Sequence, residues 1–150
     1  MKKPIPPRTT TVVKVQLADH RILDAELVYY PRYQSFLRAG ACWIELQLDG
    51  VGRFSEKSND YFGAFNQIRR KLEAKQIRLL SWGARRDVWP SGMQRDMGAG
   101  LTAYQLLEDG TNNPDARSIF EYAGPETIGT VDEQKANAEK WYQLARGNLR

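Results

Sequence analysis

WIELQLDGVGRFSEKSNDYFGAFNQIRRKLEAK, residues 43–75, changes its hydrophobic period once, and that change decides the fold. Over Trp43–Asp49 the apolar residues Ile44, Leu46 and Leu48 alternate with Glu45, Gln47 and Asp49, the period-2 signature of a half-buried strand. Asp49-Gly50 is a strong hairpin signal, so Val51–Ser55 is expected to return as a second strand. From Asp60 to about Lys75 the period becomes helical, with Tyr61, Phe65, Ile68 and Leu72 on one face and Phe62 beside them. Ser58 or Asn59 is the expected cap, and Arg69, Arg70, Lys71 and Lys75 crowd the last turns, where the helix dipole favours cations.

Upstream, Thr11–Leu17 and Leu23–Tyr29 both alternate, and the Asp19-His20 pair between them suits a hairpin turn. Pro31 is expected to end the second of these strands. Downstream, Ile77–Trp82 and Leu101–Leu107 are apolar on both faces, as central strands are. Asp109-Gly110 and Asn113-Pro114 mark a loop, and Ser118–Tyr122 reads as a short strand or one helical turn. A last helix is expected from Val131 to about Arg146, with Thr130 and Glu133 as a capping box and Gly147 as the stop. Ala138, Trp141 and Ala145 form its apolar stripe, with Leu144 alongside. The order ββββ-α-ββ-α predicts a single α+β domain over 11–150, a mostly antiparallel sheet covered by two helices. Residues 1–10, rich in proline and polar side chains, read as a flexible N-terminal arm.

At 150 residues the chain is long enough to bury roughly two-thirds of its unfolded surface in one core. No apolar run approaches the roughly 20 residues of a membrane span, and the first residues lack the apolar stretch of a signal peptide, so a cytoplasmic protein with no membrane association is expected. The single cysteine, Cys42, excludes an internal disulfide and a cysteine-based zinc site, and in CWIELQL it reads as a small buried hydrophobe. His20, the only histidine, lies in a surface turn with no partner for acid–base or metal chemistry nearby. No catalytic residue, metal or cofactor is therefore assigned. The net charge of +4 is uneven: residues 1–40 carry +4 and residues 108–150 carry −3. A basic body is compatible with an anionic partner but carries no helix-turn-helix, zinc-finger or RNP-type pattern.

The most distinctive stretch is GARRDVWPSGMQRDMGAGLTAY, residues 83–104, a long connection between two apolar runs. Its glycines do not match a P-loop or a dinucleotide fingerprint, and Gly98-Ala99-Gly100 leads into a strand rather than a helix. Arg85, Arg86 and Arg95 can clamp an anion, present a protein-binding surface, or pair with Asp87 and Asp96 and stiffen the loop. Trp89 and Met97 either plug the loop onto the core or form an exposed anchor. Arg85, Arg86, Trp89, Arg95 and Met97 are thus the candidate partner contacts, with Pro90, Ser91, Gly92, Gly98 and Gly100 shaping the loop.

Gly83-Ala84-Arg85, Trp89 to Met93, Arg95 to Gly98, and Gly100 with Ala103-Tyr104 resemble the hallmark of a family of small bacterial proteins. Ile128-Gly129-Thr130-Val131, Glu133-Gln134 and Trp141 extend that resemblance over the C-terminal half. Trp89 departs from it, because tyrosine precedes Pro-Ser-Gly in the pattern. Some members of the family this chain resembles lie beside polymorphic toxin genes of the Rhs or contact-dependent type. The resemblance implies an immunity protein that is not an enzyme and binds a cognate secreted toxin to occlude its active site. Nuclease toxins are commonly basic, so a +4 inhibitor points to a non-nuclease effector such as an ADP-ribosyltransferase. The alternative is a nucleotide- or RNA-binding module that uses the Arg/Gly-rich loop as an anion site.

Overall fold

The computed structural model describes residues 7–32 and 40–148. Strands β1 (Thr9–Gln16), β2 (Ile22–Arg32), β3 (Ala41–Leu48) and β4 (Gly52–Ser58) precede helix α1 (Tyr61–Glu73). Then come β5 (Arg78–Leu79), a 3-10 turn (Trp82–Ala84), β6 (Val88–Trp89), helix α2 (Gly92–Met97), β7 (Thr102–Gln105) and β8 (Arg117–Ser118). A second 3-10 turn (Pro125–Thr127) leads into helix α3 (Val131–Asn148). Thr9 and Thr10 belong to β1, and the rest of the expected arm lies largely outside the described residues.

The α+β class expected from the sequence is the class observed. One antiparallel sheet has the order β4-β3-β2-β1-β5, and a smaller one has the order β6-β7-β8. Alternation sets the faces of the large sheet: Val13, Val15, Ala25, Leu27, Ile44, Leu46 and Leu48 are buried beneath α1. Helix α1 packs across β3 and β4 and buries Phe62, Phe65, Ile68 and Leu72. On the outer face Tyr30 stacks on Trp43, and Arg8 lies over the Tyr30 ring. Gly50 takes the positive φ that the β3–β4 turn requires.

Several expectations are corrected. Pro31 does not end β2: it pairs with Cys42, and beyond Tyr29 the described ladder has β3 on one side only, so no β1 hydrogen bond is lost to its missing N–H. The cap of α1 is Asp60 rather than Ser58 or Asn59, because Ser58 still pairs with Cys42 in the ladder while the Asp60 carboxylate accepts from Gly63 N–H at 2.8 Å. Ile77–Trp82 and Leu101–Leu107 are not neighbouring central strands. The first contributes only β5, at the sheet edge, and the second only β7, in the middle of the small sheet. The first run packs into the main core, where Trp82 donates its indole N–H to Ala103 O, whereas in the second only Ala103 is buried and Leu101, Tyr104, Leu106 and Leu107 are half-buried. Among the described residues there are three helices rather than two, since α2 forms inside the long connection. Helix α3 has the expected Thr130–Glu133 capping box, but it runs through Gly147, and Leu144 is exposed.

Gly83 marks the closest approach between these layers. A Cβ there would sit 2.8 Å from Ile119 Cβ and 3.1 Å from the Phe65 ring, and both side chains are buried. The Ile119 Cβ cannot rotate away, so Gly83→Ala should lower stability in urea unfolding by about 1–3 kcal/mol through overpacking. An unchanged midpoint would contradict this contact.

Candidate functional site

The segment 83–104 is an ordered set of short elements. Arg85 forms a bidentate pair with Asp87 (Nε–Oδ1 and Nη2–Oδ2, both 2.8 Å) and lies over the Trp82 ring. Burial alone pushes the Asp87 carboxyl up, but hydrogen bonds from Arg85 and Gln105 outweigh it and hold the carboxyl below its ordinary range. Arg86 turns the other way and donates to the carbonyls of Glu126 and Ile128, both at 3.0 Å. Trp89 packs edge-on against Phe62 with ring centroids 5.0 Å apart, so it plugs the segment onto the core.

Ser91 and Gln94 cap α2 reciprocally at 3.1 and 2.8 Å, a capping box that the Pro90-Ser91-Gly92 turn sets up. Arg95 then reaches back across the fold: Nε lies 2.6 Å from Asp60 Oδ2, and Nη2 lies 3.2 Å from Oδ1. Asp96, the expected partner, is exposed and pairs with no basic side chain among the described residues. Gly98 is the C-cap of α2, and Gly100 takes φ +71° beside Asp60 and the Phe62 amide, with Tyr61 N–H donating to Ala99 O at 2.8 Å. Together these bonds fix α2 to the N-terminus of α1. Among the candidate contacts only Met97 is free of the fold, 83% exposed, and Met93 one turn earlier is 71% exposed.

Two features lie behind this segment. Arg69, read from the sequence as part of the basic cluster in the last turns of α1, is 3% exposed and donates to Gln134 Oε1 (2.6 Å), Gly129 O (2.8 Å) and Asn66 Oδ1 (3.0 Å). Burial pushes its guanidinium down to about 10, which leaves it charged at neutral pH. The amide nitrogen of Gln134, itself fully buried, lies 2.8–3.0 Å from the carbonyls of Gly83, Arg85 and Val88. Beside them, a groove of about 770 Å³ runs between the end of β7 and α3, lined by Arg85, Arg86, Asp87, Glu108, Lys140 and Trp141 among others. Its charges are mixed, and Trp141 donates to Thr111 O at its wall.

Sequence reasoning missed Met93, Asp60 and the Arg69–Gln134 pair. Gln134 had a readable signal: it sits three residues after Val131 and four before Ala138, a polar residue on the buried stripe of α3. Among the described residues no group of three His, Cys, Asp or Glu side chains gathers to hold a metal, and no helix is long and apolar enough to cross a membrane. No protein-family model matches the chain, and no curated protein sequence matches it.

Proposed function

We propose that the chain is a non-enzymatic immunity protein that acts in the bacterial cytoplasm, binding a secreted toxin and occluding its active site. The observation that carries this reading is α2, a helix with no buried side chain, pinned at both ends, that holds Met93 and Met97 one turn apart in solvent. Methionine is enriched at protein interfaces, and its soft side chain adapts to a partner's pocket. A rigid scaffold under an exposed apolar pair lowers the entropy lost on association. Helix α2 also lies within the segment that resembles toxin-associated proteins. The net charge of +4 favours a partner with an acidic or neutral face, such as an ADP-ribosyltransferase, over a strongly basic nuclease. Co-purification with a basic nuclease domain would contradict that preference.

The fold changes which substitutions test this. Reversing the charge of Arg86 or Arg95 removes ties to Ile128 and Asp60, so lost binding would be confounded with lost structure. Met93→Asp/Met97→Asp touches no internal contact of comparable weight. It should leave Tm nearly unchanged and weaken toxin binding by about 2–4 kcal/mol, a hot-spot loss. The measurement is growth rescue of cells expressing the neighbouring toxin gene, with affinity by calorimetry. Unchanged rescue by the folded double variant moves the contact off α2. Failure of the native chain to bind any product of that gene removes the immunity reading.

A further inference from the structure

A second cleft, of about 330 Å³, opens where the end of α1, β5 and the first turn of α3 meet. Arg69, Arg78 and Arg86 line it, together with Glu73 and Glu133. Arg78 donates through Nη2 to Pro125 O (2.6 Å) and Ile128 O (3.0 Å), and through Nη1 to Gln16 Oε1 (3.3 Å). Arg86 donates through Nη1 to Glu126 O and through Nη2 to Ile128 O, both at 3.0 Å. The two guanidinium forks therefore meet across one carbonyl oxygen, that of Ile128.

Neither arginine has a carboxylate partner among the described ion pairs. The glutamates of the cleft pair with backbone amides instead: Glu73 accepts from Val131 N–H at 2.8 Å, and Glu133 accepts from Thr130 N–H at 3.2 Å. A guanidinium carries five N–H donors. Among the described residues Arg78 has no acceptor for its Nε–H and one Nη1–H, and Arg86 has none for its Nε–H and one N–H on each Nη. Two like charges held together by neutral carbonyls, with donors left over, form an anion receptor.

We infer that this cleft binds a carboxylate, held jointly by the Arg78 and Arg86 guanidinium groups. The charge of the lining selects the class, because three arginines against two glutamates leave one net positive charge, matched by a monoanion. A phosphate dianion would add repulsion from Glu73 and Glu133. The cleft is at the small end of ligand sites, suited to one acidic group rather than a large cofactor. The carboxylate can belong to a free small acid or to an acidic side chain of a docked protein. The inference does not depend on the toxin-binding reading, since it concerns residues outside α2.

The test is a nuclear magnetic resonance titration of the ¹⁵N-labelled full chain at constant ionic strength, reading the arginine Nε–Hε signals. The probes are sodium acetate, a short glutamate peptide and inorganic phosphate, with Arg78→Lys and Arg86→Lys to assign the signals. Expected are saturable shifts of both signals with acetate and peptide, and weakening by about tenfold or more in either lysine variant, which keeps the charge but loses the planar fork. Saturation by peptide well below acetate identifies an acidic side chain as the source, whereas equal saturation identifies a free acid. Linear, unsaturable drift with both carboxylates overturns the site, and saturation by phosphate at lower concentration than by acetate overturns the carboxylate assignment. If a lysine variant fails to fold because Ile128 is released, the contrast between saturable and linear shifts in the native chain still decides.

Discussion

Gln134→Leu is expected to destabilise the protein by about 3–5 kcal/mol, lowering Tm by roughly 10 °C for a chain of this size. Leucine approximates the volume of glutamine, so the effect is electrostatic rather than a cavity. The substitution takes from the buried Arg69 its shortest hydrogen bond, 2.6 Å to Gln134 Oε1, and Arg69 has no carboxylate partner among the described ion pairs to replace it. It also strips the amide donor from the carbonyls of Gly83, Arg85 and Val88, leaving Gly83 O with only a long 3.4 Å bond from Arg69 and Arg85 O with one of 3.3 Å from Val88 N–H. Each buried acceptor left without a donor costs about 1–3 kcal/mol, and a buried charge costs more. Gln134→Glu makes the mechanism readable. It supplies Arg69 with a counter-charge but cannot donate to the three carbonyls, so it should fall between the native protein and the leucine variant. A loss below about 1 kcal/mol for Gln134→Leu, the range of an unremarkable substitution, would show that the network does not hold the layers together.

Asp60→Ala is expected to cost about 2–3 kcal/mol, as the sum of a lost helix cap and a lost, partly screened ion pair. Asp60 is 5% exposed and has two duties: Oδ1 caps α1 at Gly63 N–H, and both oxygens hold Arg95. The Arg95 side chain is 38% exposed, so on losing Asp60 it can rehydrate, which keeps the penalty below that of a fully buried pair. Asp60→Asn separates the duties, since its amide oxygen still caps the helix while the charge is gone. About half of the lost stability should return with it. Because Arg95 is the tie between α2 and α1, amide hydrogen exchange of residues 92–97 should accelerate more than that of β1–β4 in Asp60→Ala. Uniform acceleration across the chain would mean that α2 is held by other contacts.

The first three strands, α1 and α3 were legible because each carries its own period, and the fourth strand followed from the Asp49-Gly50 turn signal. Val13 and Val15, Ile44 and Leu46, and Phe65 and Ile68 announce their faces within a few residues, and the Thr130–Glu133 box is a local bond between near neighbours. The Asp19-His20 turn belongs with these, with His20 at positive φ. The runs 77–82 and 101–107 were misread as full-length central strands because an apolar run without a period does not report secondary structure. Trp82 and Ala103 are both buried, and within those two runs only Arg78–Leu79 and Thr102–Gln105 extend as strands. In the loop the competition between internal pairing and partner contact was correctly posed for Arg85 and Asp87. For Arg95 the partner was 35 residues away, which no spacing rule reaches.

The sequence by itself determined the class: an alternating meander, then helical periods, in one α+β unit. Those signals are local, because the side-chain period of a strand or a helix is fixed by backbone geometry. Only the tertiary structure decided the fate of the polar residues. It buried Arg69 against Gln134, set Arg95 on Asp60, gathered Arg78 and Arg86 at Ile128, and left Met93 and Met97 in solvent. A polar side chain is satisfied by whichever donor or acceptor the fold brings within about 3 Å, and that partner can lie anywhere along the chain. The surface open to a partner is what remains after those internal bonds are made.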